Sequence, residues 1–133
     1  MLTGGCHCGA IRYEVEGEPQ HSALCHCSDC RRHAGAPMVC WTLFGNDHFR
    51  VTQGEAKVYA SSEHGRRHFC PACGTGLFYT NDQIFPGQTD VQSATLDTPE
   101  ALPPTARIQV AERIAWVEDA DALPAFQRYP GMD

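Results

Sequence analysis

Apolar and polar residues alternate with a period of two along much of this chain, in runs of about four to eight residues, the pattern of half-buried strands. Candidate strands on this basis are "AIRYEVEG" (10–17), "MVCWTLFG" (38–45), "HFRVTQG" (48–54), "KVYASS" (57–62) and "GLFYT" (76–80). Three more follow at "DVQSATL" (90–96), "RIQVA" (107–111) and "RIAWVE" (113–118). Turn residues separate several of these, as at Gly45-Asn46-Asp47 and Gly54-Glu55. Helical signals are sparse. A short helix is expected at 28–34, capped by Ser28 or Asp29, and a helical turn after Thr98-Pro99-Glu100, where proline suits the first turn. A last helix is expected at about 120–128. The pattern describes a mainly β domain of short antiparallel strands, its one clear helix beside a cysteine-rich loop.

The 133 residues suit one domain, 1–133, with 42% hydrophobic and 20% charged residues. No apolar run is long enough to cross a bilayer. "MLTGGC" resembles a lipidation box, but too few residues precede it for a signal peptide, so the cytoplasm is the expected location. A formal net charge of −6 argues against a nucleic-acid partner, which would require a basic surface. The compact basic pairs Arg31–Arg32 and Arg66–Arg67 could still hold a small anion.

Eight cysteines change the picture. In a reducing compartment, clustered thiols read as metal ligands or catalytic groups before disulfides. Cys6 and Cys8 in "CHCG", with Cys70 and Cys73 in "CPACG", form two turns that each end in glycine. Together they would complete a closed four-sulfur zinc site whose binding energy becomes folding energy. Cys25, Cys27 and Cys30 in "CHCSDC" form a second group with three ligands only. Its fourth ligand could be His33, one turn beyond Cys30, or Cys40, or a water or substrate thiol from outside the chain. His26 points to the opposite side of an extended segment.

The motifs "GGCHCGAIRYEVEGEP", "CHCSDCRRHAGAP", "VYASSEHGRRHFCPACGTGLF" and "ATLD" resemble the glutathione-dependent formaldehyde-activating enzyme family and its centromere protein V type relatives. The resemblance runs from about Gly4 to Leu96, with an echo in "IAWVEDADALPAF". It implies a β-tent fold holding two zinc ions, one structural on Cys6, Cys8, Cys70 and Cys73, one catalytic on Cys25, Cys27 and Cys30. The implied activity is that of a carbon–sulfur lyase, the reversible addition of glutathione to formaldehyde. The partners would then be a small thiol and a small carbonyl. Proton transfer would fall to His33 or Asp29, and substrate carboxylates to Arg31, Arg32, Arg66 or Arg67. The rival readings are a non-catalytic zinc-stabilised binding domain and a thiol or metal sensor.

Overall fold

A computed structural model describes residues 1–132 as ten strands and one α-helix joined by turns and short 3₁₀ segments. The strands are β1 (Leu2–Gly5), β2 (Arg12–Val15), β3 (His21–Cys25), β4 (Val39–Gly45), β5 (Phe49–Gln53), β6 (Lys57–Ala60), β7 (Gly65–Phe69), β8 (Gly76–Asn81), β9 (Gln88–Gln92) and β10 (Ala106–Ile108). The helix α1 covers Ser28–Ala34. Three strands form a small sheet in the order β1-β2-β5, and seven form a larger one in the order β10-β3-β4-β9-β8-β7-β6. Every pairing is antiparallel except β10 with β3.

The two faces of the large sheet have different fates, because successive side chains on a strand point to opposite sides. Phe44, Phe78 and Val91 belong to the main core with Tyr13 and Val15 of the small sheet, Ile11, Leu77 and Leu96. Tyr13 meets Phe78 edge-on at 5.2 Å between ring centroids, a favoured aromatic geometry. The opposite face carries a row of directly paired residues: His21 beside Leu43, then Asp90, Tyr79, Arg67 and Tyr59 across six strands. Burying a charged pair of residues such as Asp90 and Arg67 on this face has no packing rationale. That face carries the candidate site.

The motif "ATLD" stitches the N-terminal strand to the rest. The Asp97 carboxylate accepts hydrogen bonds from Arg12 and, at 2.6 Å, from the Thr3 hydroxyl, while its backbone N–H donates to the Thr3 carbonyl. Arg12 and then Thr3 hold the Asp97 carboxyl below its ordinary range.

Most of the expected strands form, with trimmed ends. Three were not expected, namely β1, β3 and β7, where glycine, serine, arginine and histidine interrupt the apolar alternation. The expected strand at 113–118 and helix at 120–128 are replaced by a 3₁₀ segment, Ala115–Ala122, because exposed side chains there have no sheet or core to pack against. The strand expected at 90–96 ends at Gln92 and turns into a 3₁₀ segment, Ser93–Thr95. The α1 cap is neither Ser28 nor Asp29 but Cys27, whose sulfur accepts the Cys30 N–H at 3.2 Å.

Replacing Asp97 with alanine should lower the melting temperature at pH 7 by about 2–5 °C, the scale of a lost, half-exposed charge-assisted network. Its folded-state pKa is depressed, so the stabilisation is present above the ordinary aspartate pKa and fades as pH falls through the lower folded value. The gap between wild type and variant in thermal melts should therefore narrow below about pH 4. Identical melts at pH 7 would contradict this role.

Candidate metal centres

Cys6 and Cys8 lie in the turn after β1, and Cys70 and Cys73 in the turn between β7 and β8. The two turns are built alike. In each, the first cysteine donates its N–H across the loop, Cys6 to Ile11 and Cys70 to Thr75, and a glycine N–H returns to its carbonyl. Those glycines, Gly9 and Gly74, have φ of +81° and +82°, a conformation that side chains with a Cβ disfavour. All four sulfurs lie within 4.8 Å of one another. Cys6 and Cys8 stand 3.7 Å apart, and Cys8 and Cys70 3.8 Å apart across 62 residues of sequence. Metal–sulfur bonds of about 2.3 Å in a tetrahedron put the sulfurs roughly 3.8 Å apart, so the donor set fits one ion.

Backbone groups favour charged sulfur here. Ile11 N–H donates to Cys6 Sγ at 3.2 Å and Cys73 N–H to Cys70 Sγ at 3.5 Å. The Thr75 hydroxyl and backbone hold the Cys73 thiol down to about 5. Cys6 and Cys70 are themselves part of the hydrophobic core.

The second group forms where β3 runs into α1. Cys25 ends the strand, Cys27 caps the helix and Cys30 sits in its first turn, all three sulfurs within 4.8 Å of one another. Cys25 and Cys30 are 3.7 Å apart. Among the described residues, no fourth histidine, cysteine or carboxylate joins them. His26 turns away and is fully buried, its Nε2 accepting from Arg107 Nε at 3.3 Å. Cys40 is half-buried on β4 and outside both groups. The contact with Cys25, helped by Arg67, holds the Cys30 thiol down to about 5 and pushes its partner up.

A cavity of about 280 Å³ opens onto these three sulfurs. Trp41, Tyr79, Ile84 and Phe85 supply its apolar wall, and Arg67 and Asp90 its buried polar groups. Arg67 is only 6% exposed; its guanidinium lies 4.9 Å from the Tyr79 ring centroid and reaches Cys30 Sγ at 3.8 Å with both terminal nitrogens. Arg67 also lines a second cavity, with Asp29, Arg32, His33 and Tyr59. His33 therefore faces this neighbouring space, its ring stacked on Tyr59 at 6.1 Å, and burial followed by Arg67 lowers its pKa. Asp29 borders both cavities. Arg31 and Arg66 bind backbone carbonyls instead, Arg31 that of Glu112 and Arg66 those of Ser62, Glu63 and Gly65.

Two features of the site were not expected. The segment from β10 onward clamps the cysteine loop: Ile108 accepts the His26 N–H, Arg107 reaches His26 and pairs with Glu118, and the Glu112 carboxylate accepts the Ser28 N–H at 2.9 Å. Its polar residues look like surface in a linear reading. The other is Asp90, 5% exposed, whose Oδ1 has no hydrogen-bond partner. A lone acid inside the strand "QTDVQ" was the available signal, and it becomes readable only with the strand register.

The family described as glutathione-dependent formaldehyde-activating enzyme matches residues 1–112. A Halomonas elongata protein provisionally named as such an enzyme is 29% identical over 127 residues, covering 89% of this chain and 80% of that protein. A Schizosaccharomyces pombe protein named an uncharacterized lyase is 34% identical over 80 residues, covering 59% of this chain and 58% of its own. A crystal structure of a Rhodobacter sphaeroides protein superposes with a TM-score of 0.62 at 25% identity, over 80% of this chain and 99% of that one.

The two sulfur groups should respond differently to substitution. Cys70→Ser removes a sulfur buried in the core and joined to a second segment, and should lower the melting temperature by roughly 10 °C or more. Cys27→Ser keeps a good helix cap and should cost less than about 5 °C. Calorimetric melts of both variants make the comparison, and equal losses would contradict the distinction.

Proposed function

The chain belongs to the glutathione-dependent formaldehyde-activating enzyme family, and on that premise we propose that it is a zinc-dependent enzyme of carbon–sulfur bond formation and cleavage. It acts as a single domain, 1–133, and adds a small thiol such as glutathione to formaldehyde or another small carbonyl. The observation that supports this most is the incomplete sulfur group: three cysteines at one point, no fourth protein ligand among the described residues, and a cavity leading to them. A purely structural site is normally closed by four protein ligands, whereas catalytic sites keep one position open.

In this reading Cys6, Cys8, Cys70 and Cys73 would hold a structural zinc, and Cys25, Cys27 and Cys30 a catalytic one. Three thiolates there would hold a zinc ion that, when bound, would offer a soft position for the sulfur of a substrate thiol. The remaining work belongs to the chain. Trp41, Tyr79 and Phe85 line the cavity with aromatic surface and limit water around the reacting atoms. Arg67, fixed against Tyr79 and Cys30, offsets the negative charge of the sulfur group. Arg67 and Arg32 face the second cavity, where a carboxylate of the thiol substrate would be held. His33 shares that space, so its part lies at the far end of the substrate, alongside the arginines.

Native mass spectrometry of the zinc-replete, reduced protein should show two zinc ions, with Cys27→Ser losing one and His33→Ala neither. Wild type should accelerate exchange between glutathione plus formaldehyde and their adduct, measured by NMR, and Cys27→Ser should not. One zinc only, or two zincs without any acceleration, would overturn the assignment.

A further inference from the structure

An addition of this kind has a proton to move twice. The thiol must lose one as it enters, and the alkoxide oxygen formed from the carbonyl must gain one. None of the groups considered so far stands buried in the cysteine cavity with a free position for it: His33 faces the neighbouring space, Arg67 offers donors only, and Asp29 lies at the cavity's rim, exposed to solvent.

Asp90 does. Strand register places it between Leu43 and Tyr79 on the site face of the large sheet, in the same cavity as the three cysteines. It is 5% exposed, and its Oδ1 has no hydrogen-bond partner. Arg67 spends its charge on the Tyr79 ring and Cys30 and forms no ion pair with it among the described residues. A buried carboxyl left without a partner is costly, and proteins retain such groups where a ligand completes them.

We propose that Asp90 is a catalytic residue that shuttles the proton of the proposed thiol–carbonyl addition, a role that rests on the function argued above. The Asp90 carboxylate takes the proton of the entering thiol, breaking its S–H bond. The thiolate sulfur then donates its electron pair to the carbonyl carbon, forming the C–S bond as the C=O π pair moves to oxygen. Asp90 returns the proton to that oxygen, and the hydroxyl product leaves with the carboxylate restored. The reverse sequence cleaves the adduct. No outside acid, base or oxidant is consumed. Burial raises the Asp90 carboxyl from its ordinary value, toward the range in which one group can both accept and give a proton in neutral solution.

The near-isosteric Asp90→Asn variant tests this on the zinc-loaded protein. It should fold, melt no lower than wild type, keep both metals and still bind glutathione. Its rate of glutathione–formaldehyde exchange should fall by about 10²-fold or more. Titration calorimetry with glutathione alone, in buffers of different ionisation enthalpy, should show the variant releasing more protons per thiol bound than wild type. Exchange at the wild-type rate, or equal proton release, overturns the shuttle while leaving the enzyme reading intact. A wild type that neither binds glutathione nor accelerates exchange overturns that reading, and the shuttle with it.

Discussion

Thiol groups crowded to 3.7–3.8 Å are the constraint around which this molecule is organised. Ionised, they repel one another; neutral, they gain little from so close an approach. A cation at the centre reverses the balance, because deprotonated sulfur is the ligating form and the ion offsets its charge. The backbone already leans toward that state, with N–H groups directed at Cys6, Cys27 and Cys70. Four sulfurs can enclose an ion, and three leave a face uncovered. This difference of one ligand is what sets the two groups apart.

The sheet carries that separation through the fold. One face of the large sheet packs on the small sheet, and the first sulfur group lies at the margin of that core. The other face presents Asp90, Tyr79 and Arg67 in a row toward the second group. Since β7 contributes Arg67 to the site and runs directly into the Cys70 turn, the closed group also fixes the strand that positions the guanidinium. The polar clamp of Arg107, Glu112 and Glu118 then holds the loop between β3 and α1 from the outside. The geometry of the cavity thus depends on contacts outside it.

How much of this could be read from the chain follows from the range of each signal. The helix at 28–34, the Cys25–Cys27–Cys30 group and each cysteine pair of the other group depend on neighbours a few residues apart, and they were legible. The motif set also identified the family. Strands β3 and β7 were hidden because each has one face toward the site, where histidine, arginine and cysteine replace the apolar half of the alternation. Polar residues facing the cavity interrupt the pattern that reveals a strand. Asp90 was illegible for a related reason: its meaning comes from Tyr79 and Leu43 beside it, pairings that no local spacing encodes. His33 shows the converse, a helical spacing that suggested one site while the fold turned the ring toward Tyr59.

The unequal completeness of the two sulfur groups is the central claim, and X-ray absorption at the zinc edge of the fully loaded protein measures it directly. At rest the average zinc should have about 3.5 sulfur neighbours and about 0.5 lighter ones, reflecting one closed and one open site. Saturation with glutathione should raise the average to about 4 sulfurs with the light neighbour gone. An average that starts at four sulfurs, or that does not move when the thiol is added, would contradict the account.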